Sequence, residues 1–208
     1  MSNVADTLDL VNEALALIGE VVINSFEDGT DVAATAARIA STRIRGLIGL
    51  HPWRFSLRKV QLVPLVQPPV NEWRKAFALP QDMLNMREAF AAGTVDAPRL
   101  DRWEIFGQRL LANADAVWVD YQREVPVAEW PPVFRMLVRT TLAADLAIPV
   151  AGSPSARAEM LREAFGGPME LNQGGLLAQA RRVDSQQQPP QRINDFPLLD
   201  ARFGARRM

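Results

Sequence analysis

Apolar positions in the first fifty residues recur with the spacing of helices, whereas over residues 53–125 they mostly alternate. Leu8, Val11, Leu15 and Ile18 fall at i, i+3, i+7 and i+10, one stripe of an amphipathic helix. Ser2 or Asn3 offers its N-cap and Gly19 its stop. Residues 21–23 read as a short extended piece, and 24–31 as a polar loop in which Asp28 or Thr30 caps the next helix. That helix is predicted over 31–50, with Ala33, Ala37, Ala40, Ile44 and Leu47 on one face. Pro52 disfavours helical geometry at His51 and ends it. Trp53, Phe55 and Leu57 then alternate with Arg54, Ser56 and Arg58, the two-residue period of a half-buried strand.

Strands are predicted over 53–63, 73–79, 102–106, 108–112 and 117–123, with Gly107 and the run Asn113, Ala114, Asp115 as turns. Residues 81–90 predict a helical turn after Pro80. Short connections between successive strands imply one antiparallel sheet. Trp130, Pro131 and Pro132 open a third helix, where the missing proline N–H has no intrahelical partner. Phe134, Leu137, Val138, Thr141, Leu142 and Leu146 form its apolar stripe, which ends before Pro149. Ser153 and Pro154 start a fourth helix bearing Met160, Leu161 and Phe165, and Gly166-Gly167-Pro168 breaks it. A last helix is predicted over 169–184. The expected class is α+β, mainly α: a helical bundle (1–52 with 126–184), an inserted antiparallel β region (53–125) and an extended C-terminal arm (185–208).

Bulk composition narrows the function. With 208 residues, 48% hydrophobic and 23% charged, the chain has enough apolar material for a real core. A net charge of −1 argues against a generic nucleic-acid coat. The absence of cysteine excludes disulfides, cysteine zinc sites and thiol catalysis. The first residues carry acid and no base, unlike a signal or transit peptide. No apolar run approaches the roughly 20 residues that span a bilayer, so no membrane role is expected.

Charge is segregated along the chain. Residues 1–37 hold Asp6, Asp9, Glu13, Glu20, Glu27, Asp28 and Asp31 and no base; residues 38–59 hold Arg38, Arg43, Arg45, Arg54, Arg58 and Lys59 and no acid. One reading is two solvated faces or pairs within the chain. The other is a head-to-tail contact pairing Glu27, Asp28 and Asp31 with Arg38, Arg43 and Arg45 of a neighbour, closing into a ring.

Catalytic signals are weak. His51 is the only histidine, placed to pack or cap at a helix end. No nucleophile elbow, phosphate-binding loop or dinucleotide fingerprint is present. No cofactor is expected.

The run from Leu47 to Leu62, which contains His51, Pro52, Trp53 and Phe55, resembles the tail tubular protein A family of short-tailed phages. So do N-E-A-L-A-L-I-G-E, I-N-S-F-E-D-G-T, W-R-K-A-F-A-L-P-Q-D-M-L and W-P-P-V-F-R-M-L-V-R-T-T-L-A-A-D-L-A, in that order over residues 3–180. The resemblance implies a head-to-tail adaptor of a phage or phage-derived gene transfer particle, assembled in the host cytoplasm. Such subunits form a twelve-membered ring between the portal protein and the tail tube or nozzle, through which DNA passes without sequence readout. It implies no catalysis, and His51, Pro52, Trp53 and Phe55 read as structural. The arm lies beyond the matched region. Its Ile193, Phe196, Leu198, Leu199, Phe203, Arg206 and Arg207 are candidates for portal docking, since apolar residues there would anchor a segment that orders on binding; the other reading is a strand or arm packed on the protein's own body. Two rivals stay open: a binding module acting through the arm outside any virion, and a tail-associated glycan-degrading enzyme built on carboxylates.

Overall fold

The structure, a computed structural model, describes residues 4–67, 69, 72–94, 97–170 and 173–187. It is α+β and mainly α, with five helices and two antiparallel sheets among the described residues.

Helix α1 (Val4–Leu17) buries Leu10, Val11, Ala14 and Leu15. Its expected caps Ser2 and Asn3 lie outside the described residues. Past its end, Gly19 adopts φ +78° while its N–H bonds Ala16 and that of Glu20 reaches back to Leu15, a Schellman close that needs a left-handed residue. The extended piece at 21–23 forms no strand. Instead Asn12 exchanges two 2.9 Å bonds with the backbone of Ile23 and pins it to α1. Thr30 Oγ1 caps α2 (Asp31–Gly49) by accepting from the Ala33 N–H at 3.2 Å. The buried face of α2 is Ala33, Ala36, Ala40, Ile44, Leu47 and Ile48. Ala37, predicted to face inward, is exposed, because the inward stripe steps by three at its start.

Helix α3 (Pro132–Leu146) is the centre of the bundle, touching α1, α2, α4 (Pro154–Phe165) and α5 (Gly175–Gln186). All six residues of its predicted stripe are buried. Ser153 caps α4 through the Ala156 N–H at 3.2 Å. The predicted last helix divides into a 3-10 turn (Pro168–Glu170) and α5, because Gly174 stands at the α5 N-cap. Helix α5 also takes in Ser185 and Gln186, expected to begin the arm.

Three corrections concern the β region. Residues Arg54–Ser56 form a 3-10 turn, so the first strand, β1 (Leu57–Gln61), starts four residues later than its alternation predicted. The expected helical turn at 81–90 is strand β4 (Met83–Phe90), where pairing with β7 (Trp118–Arg123) overrides a locally helix-favouring composition. The strands also form two sheets where one was expected. The first has order β1-β7-β4. The second is β2 (Val63–Pro64), β3 (Lys75–Ala78), β6 (Arg109–Ala112) and β5 (Trp103–Phe106), in the order β2-β3-β6-β5. Leu62 marks the change of sheet, its N–H bonding Val117 at 2.8 Å.

The sheets bury their facing sides together. Ala89, Val119 and Tyr121 come from the first, and Phe77, Leu110 and Ala112 from the second. On the outer face of the second sheet, Trp73, Ala76 and Leu111 form a small separate cluster against Leu65. The helical core is larger and draws in Trp53, Val125 and Val127 from the ends of the β region.

Candidate assembly surface

The His51-Pro52 joint couples the two parts. Trp53 is 1% exposed, with its indole Nε1 donating to the Leu47 carbonyl at 2.9 Å. Its ring lies 4.9 Å from Phe134, which also meets Phe55 at 4.9 Å and Trp130 at 5.2 Å. Tilted and edge-on contacts at these separations suit the quadrupoles of the rings. His51 sits edge-on to Trp53 at 4.6 Å.

Polar partners hold the joint from two sides. Gln122, buried in β7, donates through Nε2 to the carbonyls of Ile48 and His51, each at 2.6 Å. The Ile48 carbonyl has no intrahelical donor, since the residue four on is Pro52, whereas the His51 carbonyl also accepts the Trp53 N–H at 2.7 Å. Asp184 of α5 accepts the Arg54 backbone N–H at 2.7 Å and stands 3.5 Å from His51 Nε2. Burial lowers the His51 pKa; Asp184 opposes this, and Arg181 and Arg87 add to the lowering.

The charged positions separate into engaged and open groups. Arg43 makes a bidentate pair with Asp145 of α3, its Nη2 at 2.6 Å from Oδ1. That pair consumes Arg43 within the chain. Arg45 has only a 4.0 Å approach to Glu124, and Arg38 bonds its own helix at the Ala34 carbonyl. Arg38, Arg43 and Asp145 line an open groove of ≈ 590 Å³ with Ile39, Thr42 and Gly46. In the acidic loop, Asp28 is turned inward on its own backbone, accepting from the N–H groups of Asn24 and Ser25 at 2.8 and 3.0 Å. Glu13 pairs with Arg135 at 2.5 Å and approaches Arg139 at 4.0 Å. Asp6, Asp9, Glu20, Glu27 and Asp31 make no ion pair among the described residues. Of the proposed ring contacts, Glu27, Asp31, Arg38 and Arg45 are therefore exposed and open, whereas Asp28 and Arg43 already have work inside the subunit.

Ile193, Phe196, Leu198, Leu199, Phe203, Arg206 and Arg207 lie outside the described residues. Among the described residues no group of three His, Asp or Glu is placed to hold a metal, and no helix is long and apolar enough to cross a membrane.

Sequence reading missed Gln122, Asp145 and Asp184. Asp145 carried a signal, as a lone acid inside the apolar run L-A-A-D-L-A, where an unpaired carboxylate is costly. Gln122 carried none; along its strand it falls out of phase with the apolar Val117, Val119 and Tyr121. No known family model matches the chain, and no curated protein matches it.

Proposed function

We propose that this chain is the subunit of a head-to-tail adaptor ring of a tailed phage or phage-derived particle. It sits between the portal protein and the tail tube or nozzle, with DNA passing through its lumen. The observation that carries the reading is the opposite charge left open on the surface. Glu27 lies before α2 and Asp31 opens it, Arg38 and Arg45 lie along it, and neither set is neutralised by a close partner among the described residues. A head-to-tail contact between copies joins one set to the other, and a closing rotation makes a ring. The order of the motifs resembling the adaptor family adds the identity of the neighbours. No reaction is assigned to the chain. Its arm, through Ile193, Phe196, Leu198, Leu199, Phe203, Arg206 and Arg207, docks on the portal in this proposal.

The test is to mix the purified protein with the candidate portal protein of the same genome and weigh the complex by native mass spectrometry. A portal ring carrying one adaptor per portal subunit is the expected result. No complex at any ionic strength overturns the reading. Removing residues 188–208, which leaves α5 whole, should abolish the complex; unchanged portal binding would move docking away from the arm.

A further inference from the structure

Strand β5 ends the second sheet, and no described strand pairs with its outer side. Natural proteins usually blunt such an edge with lysine, proline or a bulge. This strand reads Trp-Glu-Ile-Phe, with Ile105 39% and Phe106 72% exposed. Its one charge, Glu104, accepts the Trp73 indole N–H at 2.9 Å. The β5–β6 hairpin closes through Gly107 and Gln108, with Gly107 at φ +60°. In a two-residue hairpin the closing pair, Phe106 with Arg109, is hydrogen-bonded, as is the next-but-one pair, Glu104 with Leu111. The N–H groups of Trp103 and Ile105 therefore point to the open edge.

The two faces of β5 differ. Ile105 is in register with buried Leu110, so it extends the row that faces the core between the sheets; Trp103 packs on that same core. Glu104 and Phe106 lie on the outer face. A strand added here needs apolar residues at alternate positions to extend the inner row, and a base between them to answer Glu104. The chain contains such a stretch. In Leu-Leu-Asp-Ala-Arg-Phe, residues 198–203, Leu199, Ala201 and Phe203 alternate with Asp200 and Arg202, directly after Pro197. Proline is tolerated where a strand begins. From Gln187, the end of the described chain, the eleven residues to Leu198 span up to about 36 Å when extended. The stretch before it, with Pro189, Pro190 and Pro197, offers no comparable alternation.

We propose that the open edge of β5 is a strand-addition site whose occupant is segment 198–203 of this chain, with Leu199 and Phe203 extending the inner row and Arg202 facing Glu104. The occupied edge hides β5 from adventitious pairing while the protein is free, and docking of the arm on a portal requires its release. The inference rests on the edge and the segment, and stands or falls without the ring.

Amide hydrogen exchange, read residue by residue by NMR on the free full-length protein, tests it without any portal present. The comparison is the wild type against the double variant L199D/F203D, whose changes fall outside the described residues. Trp103 and Ile105 should exchange slowly in the wild type and roughly tenfold or more faster in the variant, with β7 amides unchanged as the internal control. A synthetic peptide of residues 195–208 added in excess to the variant should restore the protection. Fast exchange in both proteins overturns the proposal. So does slow exchange in both, and if that protection grows with protein concentration the occupant is β5 of a second copy.

Discussion

The two sheets are built from neighbouring stretches of one β region, yet they stand in different relation to the helices. The β1-β7-β4 sheet is bonded to the end of α2: Gln122 of β7 holds the Ile48 and His51 carbonyls, and Asn85 of β4 donates to the Gly49 carbonyl at 3.3 Å. The β2-β3-β6-β5 sheet packs on its partner sheet and has an apolar edge that no described strand pairs with. A sheet that shares buried polar bonds with a helix end is fixed in orientation by directional contacts. One held by a flat apolar interface alone gains burial but little direction. The first sheet thus works as a coupling to the bundle, and the second as a presented surface.

The comparison breaks first at Trp53. Trp53→Ala removes the indole that packs the joint into the helical core, and should cost about 3–5 kcal/mol in urea unfolding. If the two parts are coupled as described, both unfold in the same transition; loss of the bundle alone, with the sheet signal retained, would show the coupling to be weaker than the geometry implies.

Gln122→Leu should come next, at about 1–3 kcal/mol, because it leaves the buried Ile48 carbonyl without a donor and the His51 carbonyl with the Trp53 N–H alone. A neutral result in the same denaturation assay would mean that the carbonyls find other partners. Asp145→Ala frees Arg43, and because that guanidinium is more than a third exposed the loss should be smaller, about 1 kcal/mol. At the other end of the scale, Phe106→Ser on the open edge should change stability by no more than about 0.5 kcal/mol. A larger loss there would show that the second sheet is more than a loosely committed surface.

Acid sharpens the contrast without mutation. The folded-state pKa of His51 is lowered, chiefly by burial, so the unfolded chain binds a proton more readily than the folded one. Stability is therefore full above the ordinary value of about 6.5 and falls as the pH drops below it. Denaturant midpoints between pH 7.5 and 5.5 should show this fall, and His51→Gln should flatten the part of it that this ring causes.

The helices were largely legible because their signals are local. The Thr30 cap, the Ser153-Pro154 start, the Gly19 stop and the α3 stripe are each written within a turn or two of chain. Strand signals were less faithful. The alternation of Trp53, Phe55 and Leu57 looked like a strand, but Trp53 and Phe55 are drawn to Phe134 from α3, and the chain turns between them to allow it. Residues 83–90, with Met, Leu, Arg, Glu and Ala, favour a helix by composition and become a strand because β7 is there to pair with them.

The candidate surface divides the same way. The sequence showed that acid and base are segregated, but not that Arg43 would meet Asp145 across 102 residues, or that Asp28 would close its own loop. By itself, the sequence determined helices α1 to α4, the Thr30 and Ser153 caps, the mixed α and β character and the separation of charge, since each follows from neighbours a few residues apart. Only the tertiary structure decided which strands share a sheet, which charges are already neutralised and which edge is left open. Those outcomes depend on groups far apart in the chain competing for the same partners, and short-range pattern carries no record of who wins.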